Sequence, residues 1–284
     1  MVSVGLLAVL VTTSQAPARA STVTGQLRIE PAFESKILGN RRPIRVWLPP
    51  GYDQNPGRRY PVTYYHDGQN IFDAATSFIG QEWRVDETAT SLIQAGLLPP
   101  MIIVGVDNTG ASRLDEYFAT RATFGRGDRT QSAGGKADDY GRFLTEELMP
   151  WVNRTYRTQT GPRNTALVGS SAGGNISLHL GLTRPQTFGR LGLMSPALWW
   201  DDREMIRRIP SLTARPNLRV WIDCGTAEGN AHRDAKALFE AMQAKGWRPG
   251  QDVVYVEEGF GEHNEAAWAR RTGAMLLWLW DRAR

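Results

Sequence analysis

The chain has 284 residues, of which 41% are hydrophobic and 22% are charged, and these proportions exclude a disordered protein. The formal net charge is +4, but the basic residues are scattered as pairs, so a nucleic-acid-binding surface is not indicated. The longest apolar run, residues 4–11, is far shorter than the roughly 20 residues that a membrane-spanning helix needs. The one cysteine, Cys224, excludes an intrachain disulfide and a cysteine-based metal site.

The first 20 residues have the pattern of an export signal. The apolar run 4–11 leads through a polar stretch to Ala18-Arg19-Ala20, an A-x-A cleavage pattern that precedes Ser21. The segment before the apolar run has no Lys or Arg, which leaves a plain N-terminal tail as the alternative. We expect a signal peptide over residues 1–20, a mature chain that begins near Ser21, and a secreted or periplasmic protein.

Hydrophobic periodicity predicts strands and helices that alternate along the chain. The predicted strands are 44–48, 62–66, 101–106, 165–168, 191–194, 218–222 and 253–257, and the predicted helices are 82–95, 137–152, 172–182, 231–245 and 265–283. This alternation indicates the α/β class, with a mostly parallel central sheet and helices on both faces. Residues 125–135, rich in glycine and charge, predict a long surface loop. No Pro-, Gly- and Ser-rich linker divides the chain, so we predict one domain over residues 21–284.

A G-x-S-x-G motif, Gly169-Ser170-Ser171-Ala172-Gly173, lies between a predicted strand and a predicted helix. A nucleophile elbow requires this strand–turn–helix context, in which the central serine projects above the edge of the sheet. The pattern therefore predicts Ser171 as a nucleophile, with the Ala172 N–H at the helix start as an oxyanion donor. Ser170 occupies an x position and is the poorer candidate. A plain glycine-rich turn is the alternative.

A serine nucleophile needs a base, which in this fold follows the last strand. His263 lies in a glycine-rich loop after the strand 253–257 and is the predicted base, with a surface loop histidine as the alternative. The other three histidines have different predicted roles. His179 should be buried in the helix after the elbow, His66 should shape the loop that follows its strand, and His232 should be solvated at a helix start.

The acid of a triad should follow the strand 218–222. Two carboxylates are candidates there, Glu228 beyond a glycine turn and Asp223 at the strand end. Glu228 is favoured because its side chain can reach back to His263, whereas Asp223 can cap the strand. Asp201, Asp202 or no acid at all are the remaining possibilities.

The second oxyanion donor usually comes from the loop after the third main strand. Here that loop contains Asp67-Gly68-Gln69, and a backbone N–H of Gly68 or Gln69 would serve alongside that of Ala172. An ordinary Asp-Gly turn explains the same residues equally well.

Aromatic residues follow strands that end at the same edge of the predicted sheet as Ser171. Trp199, Trp200 and Tyr117, with Phe118 beside it, are the predicted substrate-binding residues, because aromatic faces suit sugars or phenolic rings. Packing in the core is the alternative for each tryptophan. No long apolar lid segment separates the strands, so esters of short acyl groups or aromatic acids are expected.

At these residues the chain resembles the Putative esterase family of α/β-hydrolases, which includes enterobactin-type siderophore esterases, feruloyl and acetylxylan esterases, and mycolyltransferases. The matching stretches are 64–73, 83–87, 104–108, 169–174 and 225–228, with Arg113, Glu116-Tyr117, Ser195-Pro196, Trp199-Trp200, His263 and Trp268. The resemblance covers about residues 40–280. It implies an α/β-hydrolase fold with Ser171 as nucleophile and His263 as base. It also favours Glu228 as acid and the Gly68-Gln69 loop as oxyanion donor.

Three functions are compatible with these residues. The first is a carboxylic-ester hydrolase that forms an acyl-enzyme, needs no metal or cofactor, and acts on carbohydrate esters or catecholate siderophore esters. The second is an acyltransferase that uses the same triad. The third is a non-catalytic carbohydrate- or partner-binding module on a hydrolase scaffold. The intact order of serine, acid and histidine argues against the third, because binding does not require it. We therefore expect the hydrolase.

Overall fold

The computed structural model describes residues 19–125 and 130–281. Eight strands form one sheet in the order β1-β2-β4-β3-β7-β8-β9-β10. Their bounds are β1 Gln26–Ser35, β2 Asn40–Leu48, β3 Val62–His66, β4 Ile102–Val106, β7 Thr165–Ser170, β8 Arg190–Met194, β9 Arg219–Gly225 and β10 Val253–Glu258. The pairs from β4 to β10 are parallel, whereas β1 and β2 add antiparallel neighbours at one edge. The predicted mostly parallel sheet is thus confirmed.

Helices cover both faces of this sheet. Their bounds are α1 Val85–Gln94, α2 Arg113–Tyr117, α3 Ala137–Arg142, α4 Met149–Thr155, α5 Ala172–Thr183, α6 Trp200–Ser211, α7 Ala231–Ala244 and α8 Glu265–Leu279. A π-helical segment, Phe143–Leu148, joins α3 to α4. The buried apolar side chains form two core clusters. The larger cluster contains side chains from α3 to α7, and the smaller cluster contains side chains from α1 and α8. In the part of the chain that is described, no helix combines the length and apolarity needed to cross a membrane.

Strand β4 shows why the sequence selects this layered arrangement. All five of its residues are buried, because a central parallel strand is covered on both faces. Ile102 and Val104 pack in the larger cluster, whereas Ile103 points to the smaller one. The continuous apolar run that predicted this strand therefore serves two cores at once.

Several elements differ from the prediction: the short helix α2 was not predicted, and the predicted helix 137–152 is divided into α3, a π-helical segment and α4. Strand β1 has no predicted counterpart, because it is a mostly exposed edge strand whose pairing with β2 shifts register between Glu30 and Phe33. Helix α6 was also missed, since its first turn contains three residues, 201–203, in left-handed conformation. The predicted loop 125–135 is corrected in part. Its residues Gln131–Ala133 form strand β6, which pairs with β5, Ala122–Phe124, in a small hairpin. Residues 126–129 and the first 18 residues of the predicted signal peptide lie outside the described residues.

Candidate active site

The loops that follow the parallel strands meet at one edge of the sheet, because parallel strands end on the same side. Ser171 follows β7 and Ser195 follows β8. Glu228 and His263 lie in the loops after β9 and β10, and Asp67 follows β3. The topology therefore gathers every predicted catalytic side chain at the carboxyl edge of the sheet.

Ser171 occupies a strained turn between β7 and α5. Its backbone has φ 55° and ψ −122°, a region that L-residues rarely adopt and that costs about 1–3 kcal/mol. The backbone bonds on both sides hold it there, since its N–H donates to the Met194 carbonyl at 3.0 Å and its carbonyl accepts from the Ala197 N–H at 2.8 Å. A Cβ at Gly169 would lie 2.5 Å from the Gly173 carbonyl carbon, so this turn requires glycine there. The predicted strand–turn–helix context is present.

Glu228 and His263 form a close pair. Glu228 Oε2 lies 2.6 Å from His263 Nδ1, and the carboxylate is 1% exposed whereas the imidazole is 44% exposed. An ionised carboxylate only accepts hydrogen bonds, so Nδ1 donates and Nε2 of the neutral ring keeps its lone pair. Burial alone would raise the pKa of Glu228, but hydrogen bonds from His263, Ser195 and the Gly225 N–H outweigh it and hold that pKa below its usual value.

Asp223, the alternative acid, bonds other groups. Its side chain is fully buried, accepts a hydrogen bond from Trp221 Nε1 at 2.6 Å and faces Arg271 Nε at 3.3 Å. Burial raises the pKa of Asp223 to about 6, against the opposing effects of Arg271 and Trp221. Asp202 pairs with Arg207 at the surface. Of the candidate acids, Glu228 is therefore the one whose carboxylate binds His263.

The loop after β3 is a tightly packed turn and not an ordinary exposed one. Asp67 is left-handed at φ 57°, and its buried carboxylate accepts two hydrogen bonds from Arg113 and one from Asn108, each at 2.7 Å. A Cβ at Gly68 would lie 2.4 Å from the β4 backbone, so only glycine fits. Within the turn, the N–H groups of residues 70 and 71 donate to the carbonyls of Asp67 and Gly68. They leave the Gln69 N–H outside the turn's hydrogen bonds, as an oxyanion donor requires.

The predicted aromatic residues divide into one exposed ring and a buried group. Trp199 is 52% exposed. Trp200 is buried and stacks on Phe118 at 3.9 Å between ring centroids, with Nε1 donating to the Thr120 carbonyl. Tyr117 is fully buried, and its hydroxyl accepts a hydrogen bond from the Asp67 N–H. Trp200 and Tyr117 therefore pack in the core, unlike the substrate contacts predicted for them, and Trp199 is the exposed ring of the three.

The remaining histidines have other surroundings. His66 is buried against Tyr140, with Nδ1 3.0 Å from the hydroxyl, and burial lowers its pKa to about 4. His179 is buried in α5 as predicted, and its ring nitrogens bind Asp138 and an α6 arginine. His232 is half-buried at the start of α7, where it was predicted.

The described residues contain one group of carboxylates close enough together to share a metal ion. Oxygen atoms of Glu82, Asp86 and Glu87 lie within 4.8 Å of one another at the start of α1. Thr22 and Thr24 donate hydrogen bonds to two of these side chains. Burial raises the pKa of Asp86 to about 8, and the neighbouring Glu87 adds to this rise.

Ser195 matched the family pattern in the sequence but was not predicted to have a role in the site. Its hydroxyl donates a hydrogen bond to Glu228 Oε1 at 2.7 Å. The sequence signal is the Ser195-Pro196 pair directly after β8, at the same edge as the other site loops.

Comparisons with known proteins identify the family of this chain. The family model described as Putative esterase matches residues 35–279. The uncharacterized protein YbbA of Bacillus subtilis is 27% identical over 255 residues, which are 87% of this chain and 95% of that protein. The endo-1,4-beta-xylanase/feruloyl esterase of Xylanibacter ruminicola is 25% identical over 84% of this chain but only 29% of that protein.

A solved structure supports the fold independently. The enterobactin esterase from Shigella flexneri superposes with a TM-score of 0.72 at 20% identity. The match covers 94% of this chain and 61% of that one, so the chain spans about three fifths of the length of this neighbour. The predicted α/β-hydrolase fold is confirmed, and the prediction of an esterase is confirmed at the level of the family. Because the family model covers most of the chain, the protein belongs to the Putative esterase family.

Proposed function

We propose that the chain is a serine carboxylic-ester hydrolase that forms an acyl-enzyme on Ser171. The observation that carries the proposal is the buried Glu228 carboxylate 2.6 Å from His263 Nδ1, at the sheet edge where the strained Ser171 turn also lies. This arrangement orients the imidazole with Nε2 as a base, which is what a serine nucleophile requires.

The proposed reaction uses only protein groups and water. His263 Nε2 takes the Ser171 proton as the serine oxygen attacks the ester carbonyl. The N–H groups of Ala172 and Gln69 hold the oxyanion, and the positive end of the α5 dipole adds to this stabilisation. His263 then gives its proton to the leaving alcohol, and water activated by the same imidazole releases the acid.

The proposed substrates are esters of short acyl groups or aromatic acids, carried by a carbohydrate or by a catecholate siderophore. The exposed ring of Trp199 supports this class, since a flat sugar or phenolic ring can stack on it. Relatives named as a feruloyl esterase and an enterobactin esterase support it as well. Export is part of the proposal, because residues 1–20 have the pattern of a signal peptide. Mass spectrometry of the exported chain should find an N-terminus at Ser21, and an N-terminus at Met1 would contradict export.

Hydrolysis of an ester panel by wild type, Ser171→Ala and Ser170→Ala tests the proposal. We expect Ser171→Ala to reduce turnover by about 10³-fold or more with the fold retained. Ser170→Ala is the matched control, because Ser170 is a buried neighbouring serine. Full activity of Ser171→Ala would contradict the proposed nucleophile.

The same panel tests the substrate class and the competing functions. Faster turnover of p-nitrophenyl palmitate than of p-nitrophenyl acetate and methyl ferulate would indicate a lipase-like enzyme. Added sugar tests for acyl transfer, because an acyltransferase would give the acyl group to the sugar instead of to water. A binding module would hydrolyse none of the esters.

A further inference from the structure

Ser195 lies at the centre of a buried hydrogen-bond network behind the proposed acid. It follows β8, is fully buried and adopts a left-handed backbone with φ 44°. Its Oγ lies 2.7 Å from Glu228 Oε1, 3.0 Å from Trp268 Nε1 and 3.0 Å from Arg271 Nη2. The hydroxyl therefore has three polar partners in a site that is closed to water.

The chemistry of these partners determines where the hydroxyl proton points. An indole N–H and a guanidinium can only donate hydrogen bonds, so Trp268 and Arg271 occupy the two lone pairs of Ser195 Oγ. The single proton of Ser195 is left for Glu228, which only accepts when ionised. Glu228 Oε1 also accepts from the Gly225 N–H at 2.7 Å. Ser195 is thus a preoriented donor to the charged form of Glu228.

The backbone of the same turn is tied to both neighbouring strands. The Ser195 N–H donates to the Asp223 carbonyl in β9 at 2.9 Å. Two residues further on, the Ala197 N–H donates to the carbonyl of Ser171 at 2.8 Å. The turn after β8 therefore connects the strand that carries the acid loop to the nucleophile elbow, and Ser195 has little freedom to move relative to either.

Charged and titratable groups surround Glu228 from three elements. Arg271 on α8 is 5% exposed, and its guanidinium lies 3.8 Å from Glu228 Oε1 and 3.5 Å from a Glu258 oxygen. The groups that face Glu228 are Asp223 and Cys224 on β9, His263, and Arg271, which also pairs with Glu258 at the end of β10. Because burial and the neighbouring Asp223 oppose its charge, an ionised Glu228 depends on Arg271 and on its hydrogen-bond donors.

We infer that Ser195, oriented by Trp268 and Arg271, is a positioning residue that keeps Glu228 ionised and directed at His263. The inference rests on the proposed roles of Glu228 and His263. Without the Ser195 hydroxyl, Glu228 Oε1 would remain buried but would keep only the Gly225 N–H as a hydrogen-bond donor. Glu228 then holds its proton to higher pH, and His263 loses its anionic acceptor over a wider acid range.

Kinetics of Ser195→Ala and Ser195→Gly test the inference, and glycine suits the left-handed backbone best. Loss of a hydrogen bond to a buried charge should reduce kcat about tenfold to one-hundredfold. KM should change little, and the acid limb of the pH profile should move to higher pH. Thr272→Val is the matched control, because this buried hydroxyl on α8 bonds the Trp268 carbonyl and not Glu228. It should keep the wild-type pH profile.

Trp268→Phe provides the second variant if neither Ser195 variant folds. It removes the indole donor and frees the hydroxyl to rotate, so a smaller loss of kcat and the same direction of pH shift are expected. If the folded variants keep the wild-type kcat and pH profile while Ser171→Ala is inactive, only the proposed role of Ser195 is overturned. An active Ser171→Ala would instead overturn the proposed function and this inference with it.

Discussion

Replacing Glu228 with glutamine should reduce kcat far more than replacing Asp223 with asparagine. The structure determines how the new amide would lie. Ser195 Oγ–H and the Gly225 N–H both donate to Oε1, so the amide oxygen stays there and the NH₂ group takes the Oε2 position beside His263 Nδ1. An NH₂ group donates, so Nδ1 would have to accept and the ring proton would move to Nε2. An Nε2–H imidazole cannot take the serine proton.

The expected magnitude is about 10³- to 10⁴-fold in kcat, the size of a tautomer error in a triad. Asp223→Asn should stay within about tenfold of wild type, because Asp223 accepts a hydrogen bond from Trp221 and pairs with Arg271, and does not contact the imidazole. Steady-state hydrolysis of p-nitrophenyl acetate across pH, with melting temperatures to confirm folding, measures both. A greater loss in Asp223→Asn would refute the reasoning, and two mild effects would indicate that a serine–histidine dyad is sufficient.

Three further outcomes follow from the structure. The pKa of Glu228 is held below its usual 4.5, so the stability it contributes is present above pH 4.5 and lost as the pH falls through the folded-state value. Urea unfolding should therefore give Glu228→Gln a lower free energy of unfolding than wild type at neutral pH, and this difference should become smaller in acid. A difference that does not depend on pH would contradict the prediction. Trp199→Ala should raise KM for methyl ferulate about two- to tenfold with little change for p-nitrophenyl acetate, and equal changes in KM would argue against stacking. Arg42→Ala should lower the free energy of unfolding by about 3–5 kcal/mol, because it leaves the buried Glu116 carboxylate without its bidentate partner. A loss of less than about 1 kcal/mol in the free energy of unfolding, measured with urea, would show that other groups compensate the charge of Glu116.

Local patterns were sufficient for the elbow and for most elements of the sheet. G-x-S-x-G can be recognised from sequence because its requirements are local: a strand before it, a helix after it and small residues at the crowded turn. Continuous apolar runs identified the central strands for a similar reason, since both faces of those strands are covered. Strand β1 was missed because an exposed edge strand needs no apolar pattern and depends on its partner β2.

The sequence by itself determined the α/β class, Ser171 as the candidate nucleophile and His263 as the candidate base. It favoured Glu228 over Asp223 but could not decide between them, because both lie near the end of the same strand and differ in which remote side chains they meet. Only the tertiary structure brought Glu228 to His263, enclosed Asp223 with Arg271, and left Trp199 exposed while Trp200 packed on Phe118. It also revealed Ser195, whose donors and acceptor come from α8 and from the loop after β9. Such pairings depend on how distant segments pack, and no periodicity within one segment records them.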